Sequence, residues 1–111
     1  MAMTTITLTG KGVEEVQALD IRISVEAIVN ISAEMARRKV TGWLVDEVGN
    51  MLIGGKPQLV ISQQTVWRVP AILTSFNIGT VGEVGTIDVD AVTGKLIVSH
   101  KLKQRILDNV H

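Results

Sequence analysis

Val66–Phe76 reads VWRVPAILTSF, and the folding of this run decides the architecture around it. Side chains alternate along a strand. Trp67, Val69, Ala71 and Leu73 then share one face, and Val66, Arg68, Pro70 and Ile72 share the other. Pro70 has no amide hydrogen, so the strand is expected to lie at a sheet edge there or to be bulged. Both faces carry apolar groups, yet a chain of 111 residues has only one or two helices with which to cover them. Exposed apolar strand surface marks an interface. A second copy of the chain, or another protein, is therefore expected to meet Val66, Arg68 and Ile72, unless the N-terminal segment covers that face.

Upstream, QLVIS (58–62) reads as a second strand, and GGKP (54–57) is a loop because two glycines and a proline do not continue a helix. Ahead of it lies the clearest helix, near 33–48. Ser32 is a good N-cap because its hydroxyl can accept a free amide of the first turn, and Glu34 suits the positive end of the dipole. Ala36, Val40, Trp43, Leu44 and Val48 recur at three- and four-residue steps and form one stripe. Gly42 weakens the helix, and Gly49 and Asn50 are suitable terminators. Trp43 and Trp67 are expected to meet in the core. Nearer the N-terminus, TTITLTG (4–10) fits a short edge strand, GVEEVQALD (12–20) a short helix, and IRISVEAIVN (21–30) either kind of element.

Downstream, NIGTVGEVG (77–85) reads as a glycine-rich connector. Ile87–Val98, IDVDAVTGKLIV, follows it. Alternation sends Asp88 and Asp90 to the face opposite Ile87, Val89 and Ala91, which is the solvent face. Asp90 also opens DAVTG, where a carboxylate can bond amides two and three residues on and Gly94 can take positive φ. That is a tight turn joining 84–91 to 95–99. A calcium loop counted from Asp88 needs an oxygen ligand fifth and glycine sixth. Val92 and Thr93 stand there. HKLKQRILDNVH (100–111) spaces Leu102, Ile106 and Val110 for a short amphipathic helix.

The sequence resembles the PepSY type of domain, in which a helix precedes antiparallel strands, one with an aromatic near its start, and the last hairpin carries V-D-A-x-T-G-x-[VIL]. The matching positions are Trp67, then Val89, Asp90, Ala91, Thr93, Gly94 and Leu96. The resemblance covers about Ser32 to Val98. It implies a helix-plus-sheet fold and a role in protease inhibition or regulation.

Composition narrows the function classes. Apolar residues make up 46% and charged residues 20%, a globular balance. With eleven basic and eleven acidic residues, no net field draws in DNA or an anionic membrane, and little repulsion opposes self-association. Aromatics at 3% leave few platforms for base stacking. The lack of cysteine excludes disulfides, zinc–thiolate sites and thiol catalysis, and fits a reducing compartment. No basic start with an apolar run opens the chain, and no stretch approaches the roughly 18 apolar residues of a membrane span. A cytoplasmic location follows as the expectation.

No catalytic constellation emerges. His100 and His111 both lie near the C-terminus, where a surface position is expected for His100. Gly79, Gly82 and Gly85 match neither a phosphate loop nor a dinucleotide fingerprint. No cofactor or metal site is expected. Arg37, Arg38 and Lys39, with Lys101, Lys103 and Arg105, offer the contrasting reading of a small antitoxin-like DNA-binding regulator. The sequence as a whole predicts one α+β domain, a main helix packed on a three- to four-stranded antiparallel sheet with a short C-terminal helix. Its expected role is that of a non-enzymatic regulatory or protein-interaction module working as a homodimer.

Overall fold

In the computed structural model, which describes residues 6–8 and 28–110, the run 66–75 is the strand around which the sheet is built. The order is β1 (Ile6–Leu8), α1 (Ala33–Glu47), β2 (Leu52–Gly54), β3 (Gln58–Ile61), β4 (Val66–Ser75), β5 (Gly79–Asp90), β6 (Leu96–Ile97) and α2 (His100–Val110). The expected helix over 12–20 and the two-way reading of 21–30 fall outside the described residues, apart from 28–30. The expected strand near the N-terminus is β1.

The architecture is α+β, with more strands than the sequence suggested. Strands run β1-β3-β4-β5-β6, all pairs antiparallel, and β2 joins β4 beyond the end of β3. β3 faces Val66–Arg68 and β2 faces Ala71–Leu73, so Gly55–Pro57 interrupts the strand opposite Pro70. Gly55 N–H donates to the Pro70 carbonyl at 2.8 Å. A strand residue projects its N–H and C=O to the same side. The donor that Pro70 lacks is therefore missing at the break, and proline sits within an interior strand. Of the two expectations for Pro70 the bulge is not found, because Pro70↔Thr86 is in regular register and the shifts fall at Ala71/Ile72 and Leu73/Thr74; the gap between β3 and β2 instead leaves β4 a local edge at that residue.

β5 corrects the reading of 79–85 as a connector: Gly79–Asp90 is one continuous strand. Its register against β4 passes from Ala71↔Gly85 to Ile72↔Glu83 and from Leu73↔Gly82 to Thr74↔Thr80. Val84 and Val81 are thus extra residues, and each bulge breaks the alternation from which a strand is read.

Trp67 pairs with Val89, Val69 with Ile87 and Ala71 with Gly85. This inward set meets Ala36, Val40 and Leu44 of α1 and Ile106 of α2 in one buried cluster. Both helices therefore lie on the same face of the sheet. Burying side chains of this size stabilises by about 1.5–3 kcal/mol each. Ser32 caps α1 as expected, accepting from Met35 N–H at 3.1 Å, and the helix closes on Val48 N–H to Leu44 carbonyl at 2.9 Å. Ser99 does the same for α2, taking Leu102 N–H at 3.1 Å.

Trp67 is fully buried, and its indole N–H donates to the Ile31 carbonyl at 2.9 Å. Trp43 packs on the same core but is half-buried. Its position is about 15 Å further along the helix axis than the first turn, at ~1.5 Å per residue. The two indoles mark opposite ends of the helix–sheet interface rather than one shared contact.

Candidate interaction surfaces

Val66, Arg68, Pro70 and Ile72 point away from both helices, on the face where a partner was expected. Arg68 is exposed and grips Asp88, its cross-strand partner, with Nε at 2.9 Å and Nη2 at 3.1 Å from the two carboxylate oxygens. Val66 is buried, as is Val60 opposite it, so neither offers open surface in this chain. Ile72 is half-buried and pairs with the exposed Ile53. The open apolar part of this face is thus Ile53, Pro70 and Ile72, and its charged part is a closed Arg68–Asp88 pair.

Asp90 builds the turn read from its sequence. Oδ1 accepts from Val92 N–H at 2.8 Å and Thr93 N–H at 2.9 Å, and Gln64 Nε2 reaches Oδ2 at 2.8 Å. The Thr93 amide first, then Gln64 and the Val92 amide, hold its carboxyl below the usual carboxylate range. Gly94 adopts φ +77° at the turn's exit. Asp88 and Asp90 therefore serve separate partners. Among the described residues no three His, Asp or Glu side chains come together as a metal-binding group.

Of the basic residues read as a nucleic-acid face, Arg37 and Arg38 are drawn towards one carboxylate. Arg37 Nε donates to Glu34 Oε2 at 2.9 Å, and Arg38 Nε to Glu34 Oε1 at 3.2 Å. Arg37, chiefly by its hydrogen bonds, lowers the Glu34 carboxyl from 4.5 to about 2. Lys39 is exposed on the same helix, whereas Lys103 bridges to Glu47 at 3.1 Å. His100 is the exposed first residue of α2.

The largest apolar exposure lies at a place the sequence did not single out. β4 and β5 are joined by a turn of Phe76, Asn77 and Ile78, closed by Gly79 at φ +81°. A left-handed residue often closes a short hairpin loop, and glycine takes that conformation without steric cost. Phe76 is 95% exposed, Ile78 76% and Val81 53%. β2 reaches only Leu73, and Met51 carbonyl takes the Thr74 amide at 2.8 Å, so the hairpin end projects past its neighbour strand. Beside it is a groove of about 430 Å³ between Val48 and Met51 after α1, Leu73 and Val81 of the hairpin, and Leu107 and Val110 of α2. Leu73–Gly82 holds no ionisable side chain, nor does the groove's lining. That charge-free run was the available signal, hidden because half of it read as connector.

No protein-family model, curated protein or solved structure matches the chain.

Proposed function

We propose that the chain is a non-enzymatic regulatory or protein-interaction module that works as a homo-oligomer, a dimer in its simplest form, in the cytoplasm. The observation that carries this reading is the placement of both described helices on one face of the sheet while apolar side chains stand open elsewhere: Ile53 and Ile72 on the face opposite α1 and α2, Phe76 and Ile78 at the hairpin end. Grouped open apolar surface is the signature of a binding region. Part of the charge on the described surface is engaged in local pairing, Arg68 with Asp88, Arg37 and Arg38 with Glu34, and Lys103 with Glu47, which fits positioning of the fold rather than chemistry on a substrate. Zero net charge leaves self-association unopposed. A PepSY-like role, regulating a protein partner through the face around Arg68 and Ile72, opposite α1 and α2, agrees with the order of helix, aromatic-bearing strand and Asp90 turn.

Light scattering across a concentration series tests the reading. The mass is expected to rise from 12.0 kDa towards twice that value as concentration increases. A mass fixed at the monomer value throughout removes the homo-oligomer.

A further inference from the structure

We infer that two copies associate by exchanging hairpin ends, Phe76 and Ile78 of each copy seated in the apolar groove of the other. The inference rests on the homo-oligomeric reading above and assigns its interface. Three observations select a second copy as the occupant.

The first is contiguity. Val81 is both part of the exposed hairpin end and a wall of the groove, and Ser75 lines the groove immediately before Phe76. Projection and recess therefore share an edge. A two-fold axis through that edge fills both grooves with both projections at once, as an isologous contact requires.

The second is charge. Neither the Leu73–Gly82 run nor the lining of the groove holds an ionisable side chain, so bringing two copies together desolvates no charge. Asn50 and Thr74 give the groove a polar margin, while its body is aliphatic. That suits an aromatic anchor with a polar rim.

The third is area. An aromatic side chain carries about 150–250 Å², so a nearly bare Phe76 with Ile78 and half of Val81 presents on the order of 400 Å². The groove wall is smaller than the projection, so with both copies counted the contact removes on the order of 1,000 Å², the low end for a specific interface and the size of a weak, reversible pair. The hairpin is held for this task by β4–β5 pairing up to Ser75↔Gly79, so little is ordered on binding. Such a contact does not involve Arg68 and Ile72, which lie on the face opposite α1 and α2.

The test uses the full chain. Phe76→Asp, at a side chain 95% exposed, is expected to leave the melt of the dilute monomer unchanged and to weaken self-association by about tenfold or more. The natural lack of cysteine allows a second measurement. Phe76→Cys and Asn50→Cys proteins, mixed and oxidised, are expected to give a cross-linked pair holding one of each. If the parent protein dimerises while Phe76→Asp dimerises equally and the mixed cysteines fail to link, the interface lies elsewhere and this inference is overturned, with the homo-oligomeric reading intact. A parent that stays monomeric overturns both, and the groove then belongs to a different protein.

Discussion

Ile106 of α2 lies directly over Gly85 of β5, so close that a Cβ on the glycine would come within 2.9 Å of the isoleucine Cγ1. Both neighbours are fixed: Gly85 pairs with Ala71, and Ile106 is fully buried. Asn109 adds a second tie, donating to the Val84 carbonyl at 2.9 Å. Gly85→Val is therefore expected to lift α2 and to destabilise by about 1–3 kcal/mol, the usual cost of overfilling a packed site. Adding Ile106→Ala to it should cost less than the two single effects combined, because the collision is removed. Thermal melts of the four proteins measure this, and strict additivity would count against the contact.

Trp67 supplies the second prediction. It is fully buried and satisfies the Ile31 carbonyl ahead of α1. Trp67→Ala is expected to cost about 3–5 kcal/mol. Trp67→Phe keeps most of the volume but leaves that carbonyl without a donor, at about 1–3 kcal/mol. Trp43→Ala, at a half-buried site, should fall below the Trp67→Ala value. Urea denaturation ranks the three, and a Trp67→Ala midpoint equal to the parent's would refute the packing described.

What could be read from the sequence was what local chemistry specifies. Ser32 announces α1 because its hydroxyl serves an amide three residues on, and Asp90 with Gly94 announces the turn within five positions. β2 escaped because three residues carry no period, and its Gly54 looked like the start of the loop. β5 escaped because glycine means turn by every local rule, whereas Gly85 is there for Ile106, twenty-one positions later. The extra residues Val81 and Val84 also erase the alternation. The site followed suit. Val66, Arg68 and Ile72 were correctly given one face, because alternation alone decides that. The Arg68–Asp88 bond needed the register, and the exposure of Phe76 needed β5 to be a strand.

Acid should unfold the protein through groups whose carboxyls are lowered in the folded state. Glu34 falls from 4.5 to about 2, and Asp90 lies below its usual 3.8. A depressed folded value gives stability that is present above the unfolded value and lost as pH falls towards the folded one. The melting temperature should therefore be flat above about pH 5 and decline between about pH 4.5 and pH 2. Salt separates the two groups. Glu34 is paired with exposed arginines, so its share shrinks at high ionic strength, whereas Asp90 is held chiefly by amides and keeps its share. Asp90→Asn should lower the neutral melting temperature and flatten the acid decline. An unchanged decline in that variant would exclude Asp90 as a source.

Thr41 joins helix to sheet through one oxygen. Its hydroxyl donates to the Arg37 carbonyl at 3.0 Å and accepts the Gly54 amide at 2.9 Å. Gly54 is needed for this approach, because a Cβ there would stand 2.8 Å from the Arg37 carbonyl oxygen, which is helix backbone and has no flexible way aside. Gly54→Ala is expected to cost about 1–3 kcal/mol by forcing α1 off β2. Thr41→Val keeps the shape but removes the acceptor, leaving the Gly54 amide unmet for about 1–3 kcal/mol. Thr41→Ser restores both bonds and should sit near the parent. Stability alone does not separate lost packing from a lost bond, but amide exchange does. The Gly54 amide should exchange faster in Thr41→Val and at close to the parent rate in Thr41→Ser. Equal rates in all three would mean that the amide is protected by something other than this hydroxyl, and the hinge between helix and sheet would have to be sought elsewhere along β2.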